Sequence, residues 1–165
     1  MKPRFLVFAA VTWLLWPCSP HGAQAERVWS ETAPAIKATH TFLGEINRPG
    51  KPTGYHSRPG GKDPRNARVA RIQEGPNRAG IYTARVEIRD PDTGRWKEKF
   101  STLFPDRLSH GEVIEAILHA YRNRESGHAE PWRGPSGLGF PVQGYTLRDG
   151  RINTAYPVSI RDHRR

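Results

Sequence analysis

An alternating run at residues 81–89 limits what this chain can fold into more than any other feature. Tyr82, Ala84, Val86 and Ile88 fall on one side and Thr83, Arg85 and Glu87 on the other, the period of a strand with one buried face. Asp90-Pro91-Asp92-Thr93-Gly94 is dense in turn formers, and residues 95–102 then return, so the two runs predict a β-hairpin. On the returning strand Trp96, Glu98 and Phe100 face one way, while Lys97, Lys99 and Ser101 face the other.

Helical spacing flanks the hairpin. Residues 31–46 suit an N-terminal helix, with Pro34 in its first turn and Ala35, Ile36, Ala38, Thr39, Phe42 and Leu43 as a mixed apolar stripe. Residues 47–78 read as a long irregular stretch rich in Gly, Pro, Arg and Asn; loops of that length are uncommon in compact domains and often functional. Ser109-His110-Gly111-Glu112 is a capping box, and Val113, Ile114, Ile117, Leu118 and Tyr121 mark a helix to about Asn123. After a polar connection at 124–139, residues 140–147 and 151–160 predict a second hairpin around Arg148-Asp149-Gly150. No internal repeat is visible. The predicted class is α+β: an N-terminal helix, a long loop, and an antiparallel sheet of two hairpins with one helix between them. Trp96, Phe100, Phe104, Tyr121 and Phe140 are the aromatic core candidates.

The first 25 residues are set apart from the fold. Lys2 and Arg4 precede an apolar run at 5–16, too short to span a bilayer, and Ala23-Gln24-Ala25 is a small-x-small cleavage site. Residues 1–25 therefore read as a cleaved signal peptide and 26–165 as one domain, exported to the periplasm, to the medium or into a target cell. Cys18, the only cysteine, leaves with the signal, so the mature chain has no disulfide and no thiol nucleophile. The net charge of +10 falls to +8 when Lys2 and Arg4 are removed, a balance that favours polyanionic partners.

Histidine is the side chain best suited to proton transfer near neutral pH, and the chain has seven: His21, His40, His56, His110, His119, His128 and His163. Metal-free RNA cleavage needs a group to take the proton of a ribose 2′-hydroxyl, a second to protonate the departing 5′-oxygen, and a cation to steady the phosphorane. Two histidines and a lysine supply that set. His119 falls inside the second helix, His110 in its first turn, and His128 and His163 in polar loop or tail. His40 and His56 stand in less ordinary surroundings, a helix end running into Gly44-Glu45 and a Gly-Tyr-His-Ser turn. Lys97 and Lys99 share a strand face, and alternation alone leaves both open for the cationic role.

Several short segments, taken in order, resemble the bacterial EndoU ribonuclease family within the barnase/EndoU/colicin/RelE-like group. They are His40-Thr41-Phe42-Leu43-Gly44-Glu45, Gly54-Tyr55-His56-Ser57, Lys99-Phe100-Ser101-Thr102-Leu103-Phe104-Pro105 with a helix opening near Ser109, Gly144-Tyr145, and Ile152-Asn153-Thr154-Ala155-Tyr156-Pro157. Together they span about 38–158. The resemblance implies that residues 26–165 form a single EndoU-like domain, with His40 and His56 as the acid/base pair and Lys99 as the phosphate cation. It also implies that Thr154 and Tyr156 lie at the substrate pocket, where a hydroxyl and a stacking ring can select a base, with Ser101 a further candidate there. Such enzymes are associated with cutting single-stranded RNA at uridines and leaving 2′,3′-cyclic phosphate ends. Bacterial members often act as exported toxins with a neutralising immunity protein. The expectation is thus a monomer that acts on RNA, needs no metal or other cofactor, and keeps no stable membrane association once the signal is cleaved.

Two other function classes compete. A metal-dependent nuclease would draw on histidines assisted by Glu45, Asp63 or Asp106, although the spacings lack a tight His-x-x-x-His or Glu-His cluster. A non-enzymatic exported binder of polyanions would use Arg65, Arg68, Arg71, Arg78 and the arginines of 161–165. The binder reading leaves the Ser-Thr-x-Phe-Pro and Thr-x-Tyr-Pro segments unexplained.

Overall fold

In a computed structural model, which describes residues 28–126 and 130–160, the chain alternates short helices with three antiparallel sheets. Its order is α1 (Ala38–Phe42), β1 (Glu45–Ile46), β2 (Pro52–Thr53), β3 (Ala67–Glu74), β4 (Tyr82–Arg89), β5 (Trp96–Leu103), α2 (His110–Arg122), β6 (Trp132–Pro135), β7 (Pro141–Thr146) and β8 (Ile152–Pro157). The class is α+β. The expected signal peptide at 1–25, with Cys18 and His21, and His128, His163 and the arginines of 161–165 lie outside the described residues.

Both expected hairpins form, and each acquires a third strand. β4 and β5 pair from Tyr82↔Leu103 to Arg89↔Trp96, with β3 added along the free side of β4. β7 and β8 pair from Val142↔Pro157 to Thr146↔Ile152, with β6 added along β7. The single expected sheet is therefore two separate three-stranded sheets, β3-β4-β5 and β6-β7-β8, plus the small β1-β2 pair. The long loop at 47–78 is likewise corrected, since it contains β2 and β3. As an edge strand, β3 leaves Arg68, Arg71, Gln73 and Glu74 exposed, and so its sequence lacks the apolar alternation of a half-buried strand.

The N-terminal helix is also shorter than its stripe suggests. Ile36 is extended, forming a parallel bridge with Ile152, and its side chain is fully buried. Tertiary pairing thus claims residues that local spacing would place in the helix. Gly44, at φ +68°, turns the chain out of α1.

α2 follows its expected limits. Ser109 Oγ accepts from Glu112 N–H, and the Glu112 carboxylate accepts from Ser109 N–H, a reciprocal cap that contributes about 1 kcal/mol. Of its buried residues, Val113, Ile117, Leu118 and Ala120 pack with Trp132, Phe140, Val142 and Ala155 in one core that also takes in Ile36, Phe104 and Leu108. A second core gathers Tyr55, Ala67, Tyr82, Ala84, Val86, Ile88 and Leu103 on the inner face of β3-β4-β5.

The register of β5 corrects part of the expected core. Val86 pairs with Lys99 and Ala84 with Ser101, and directly paired residues share a face, so the lysine–serine row turns inward. Trp96 and Phe100 go outward, at 36% and 50% exposure, while Phe104 and Phe140 are buried as expected. Arg68 lies over the outward Trp96 ring, 4.4 Å from its centroid.

Candidate active site

Two histidines meet where α1, the loop after β2 and the end of β5 converge. α1 is only five residues long, and its terminal carbonyls find partners in that loop. Tyr55 N–H donates to the His40 carbonyl and His56 N–H to the Thr41 carbonyl, both at 2.7 Å; Phe104 N–H then closes on the His56 carbonyl at 2.8 Å. Gly54 makes this approach possible. Its φ is +74°, and a Cβ there would sit 2.2 Å from the His40 carbonyl oxygen. Tyr55 also adopts a left-handed φ, +58°, held by complete burial and by a hydrogen bond from its hydroxyl to Asp63.

The contacts of His56 decide its tautomer. Nδ1 lies 3.0 Å from the Thr102 carbonyl and 3.0 Å from Ser101 Oγ, whose own hydrogen goes to the Tyr55 carbonyl at 2.8 Å. A carbonyl only accepts, so Nδ1 carries the hydrogen and Nε2 keeps its lone pair. Burial holds the ring pKa well below the usual histidine range, and the charges of Lys99 and His40 push the same way.

His40 has the opposite kind of neighbour. Its Nδ1 lies 2.9 Å from Glu45 Oε1, and the same oxygen accepts from Lys37 Nζ at 2.7 Å. The bond from His40 and the Lys37 ammonium outweigh partial burial and lower the Glu45 pKa to about 2, so this carboxylate stays ionised. The two imidazole rings are 6.0 Å apart, centroid to centroid, and tilted by 38°.

Lys99 reaches the same place from the inner row of β5 and donates to the Gly54 carbonyl at 2.9 Å. Burial lowers its pKa to about 8. Lys97 points elsewhere: it pairs with Asp90 at 2.6 Å and donates to the Gly50 carbonyl at 2.9 Å. Of the two lysines left open by strand alternation, Lys99 is the one whose charge acts on His56.

β8 supplies the remaining wall. The Tyr156 ring stacks on His56 at 5.2 Å and 27°, and its hydroxyl oxygen accepts from Gln143 Nε2 at 2.8 Å. Thr154 lies two residues earlier on the same strand, opposite Tyr145. Ser101, expected beside the substrate, is instead buried against His56, where it holds the ring. His110 packs its ring on Phe42, and His119 bonds the Pro135 carbonyl, so neither joins the pair.

Among the described residues, no three of His, Cys, Asp and Glu group in a way that can hold a metal ion. Glu45 is engaged by Lys37 and His40, Asp63 by Tyr55 and Arg58, and Asp106 by Arg58 and Tyr82.

Residues 35–159 match the family described as bacterial EndoU nuclease. The chain belongs to that family. A curated Bacillus cereus protein named "Toxin" is 34% identical over 120 residues, covering 72% of this chain. This chain spans about a fifth of that protein, 22% of its length. No solved structure matches. The family match includes His40, His56, Lys99, Ser101, Thr154 and Tyr156, which the structure brings to one place around His56 and along β8.

For this EndoU nuclease family member, sequence reasoning weighed Glu45 only as a metal ligand and missed Gln143. Glu45 stands within the first family segment but has no role there until the turn at Gly44 folds it back on His40. Gln143 carries no signal in the sequence, because only the β7–β8 register places it across from Tyr156.

Proposed function

We propose that this EndoU nuclease family member is an exported, metal-independent endoribonuclease that cuts single-stranded RNA at uridines and acts as a toxin. The observation that carries the reading is the unequal histidine pair: two buried rings 6.0 Å apart, one beside a carboxylate and one whose pKa is held low by burial and by the Lys99 ammonium.

In this reading the free Nε2 of His56 takes the proton of the ribose 2′-hydroxyl. The oxygen attacks the adjacent phosphorus, the bond from phosphorus to the 5′-oxygen breaks, and a 2′,3′-cyclic phosphate remains. His40, held by Glu45 through Nδ1, gives a proton to the departing 5′-oxygen. Lys99 retains donor hydrogens beyond the one shared with Gly54, and these steady the charge on the phosphorane. Thr154 and Tyr156 contact the base. DNA lacks the attacking hydroxyl and so binds without being cut.

The apolar run at 5–16 followed by Ala23-Gln24-Ala25 supports export, to the periplasm, to the medium or into a target cell. The name of the Bacillus cereus relative supports a toxin and, with it, an immunity protein as partner. The remaining expectation is a monomer with no membrane attachment after signal cleavage.

The deciding experiment incubates the protein with uridine-containing single-stranded RNA in EDTA and maps cut sites and end groups. Cuts at uridines with cyclic phosphate ends are expected, with no product from the His40→Ala, His56→Ala or Lys99→Ala proteins. Full activity in His56→Ala, or cleavage that stops in EDTA and returns with a divalent cation, would overturn the reading.

A further inference from the structure

The β6-β7-β8 sheet has two unlike faces. Trp132, Gly134, Val142, Gly144 and Ala155 point towards α2 and the core, so closely that a Cβ on Gly134 would meet the Ala120 carbonyl oxygen at 2.0 Å. The alternate positions of β6 and β7 are half-buried to exposed. There the register aligns Arg133 with Gln143 and Gln143 with Tyr156, one residue from each strand. The row starts at Tyr156, which stacks on His56, continues through the Gln143 amide bonded to the Tyr156 hydroxyl, and ends at Arg133. Arg133 is two strand spacings, about 10 Å, from Tyr156. Beside this row stands Tyr145, opposite Thr154 and 41% exposed.

We propose that this open face is a track for the nucleotides flanking the cleaved one: Tyr145 stacks a neighbouring base and Arg133 binds a neighbouring phosphate. On the ribonuclease reading, on which this rests, Tyr156 marks the cut nucleotide, and a chain leaving it can follow the row away from His56. The residue chemistry fits a single-stranded nucleic acid. An aromatic ring offers a stacking platform to any base, and the guanidinium of half-buried Arg133 offers a fork to phosphate. Gln143 joins the two parts, since one N–H orients the Tyr156 hydroxyl and the rest of its amide faces the same surface. On the outer face of the other sheet, Arg68 and Arg85 already pair with Glu87 and Glu98.

The test measures binding rather than cleavage, by fluorescence anisotropy with a labelled deoxyuridine oligonucleotide of about a dozen nucleotides, which cannot be cut. Tyr145→Ala is expected to weaken affinity about tenfold and Tyr145→Phe to retain it, because stacking needs the ring and not the hydroxyl. Arg133→Gln is expected to weaken affinity and to lower the salt dependence by about one counterion. Arg85→Gln, the same charge loss on the other sheet, serves as the control for general electrostatics. Equal affinity in wild type, Tyr145→Ala and Arg133→Gln overturns the track, and so does an equal loss in Arg85→Gln. Should RNA cleavage fail while this binding pattern appears, the ribonuclease reading falls and the track stands; cleavage with unaltered binding in the variants gives the reverse.

Discussion

Lys99 shows at the scale of one residue how a site conflicts with stability. Its ammonium is drawn into the inner row of β5 between Val86 and the histidines, and burial lowers its pKa to about 8 from 10.5. At neutral pH the charged form is therefore held against a desolvation penalty, which eases only as pH rises from about 8 towards 10.5. Replacing Lys99 with methionine keeps the volume and removes the charge. The expected outcome is a gain of about 2 kcal/mol in a denaturant titration at neutral pH, together with complete loss of RNA cleavage. A variant that is less stable than wild type would show that the Gly54 carbonyl bond outweighs the cost of burial.

At the scale of elements, the site depends on a clamp. The end of α1, the loop at 54–57 and the end of β5 exchange four backbone hydrogen bonds, and β5 aims the His56 ring through the Thr102 carbonyl and Ser101 Oγ. Gly54 is the point of closest approach. Gly54→Ala places a methyl group against the His40 carbonyl at a left-handed φ, which forces the loop away from α1. A loss of about 3 kcal/mol in thermal or chemical unfolding is expected, along with impaired cleavage because the two rings no longer face each other. Wild-type stability in this variant would mean the loop can shift without disturbing α1. The same clamp explains Tyr55. A residue forced to φ +58° stays there because its ring fills the second core and its hydroxyl meets Asp63.

For the whole molecule, one buried histidine links the site to the stability of the fold. The folded state keeps His56 neutral well below 6.5, whereas the unfolded chain takes up a proton there. The unfolded state thus binds more protons, and stability rises with pH across that window; it is complete above about 6.5 and lost as pH falls. The melting temperature should drop between about pH 7 and pH 5, and His56→Gln should flatten that drop. Glu45 acts in a separate range. Its folded pKa of about 2 lies below the ordinary 4.5, so its contribution is present above 4.5 and is lost only as pH falls towards 2. A wild-type curve flat from pH 7 to 5 would show that His56 titrates normally, with no penalty from burial.

Local chemistry determined the parts of this protein that depend on neighbours in the chain. The period-two run at 81–89 with its turn, the capping box at Ser109 and the stripe of α2 all formed where their residues dictate, because turns, caps and amphipathic faces are short-range properties. The family segments carrying His40, His56 and Lys99 were legible in the same way. Tertiary structure decided the rest. β3 and β6 exist because a free strand edge pairs with them, although their own sequences are polar or too short to read. Which side of β5 turns inward was decided by the apolar face of β4, and through it which lysine meets the histidines, since hydrogen-bond register binds the faces of paired strands together. Glu45 and Gln143 reached the site by a turn and by a strand register, and contacts made across such distances leave no periodic trace in the chain.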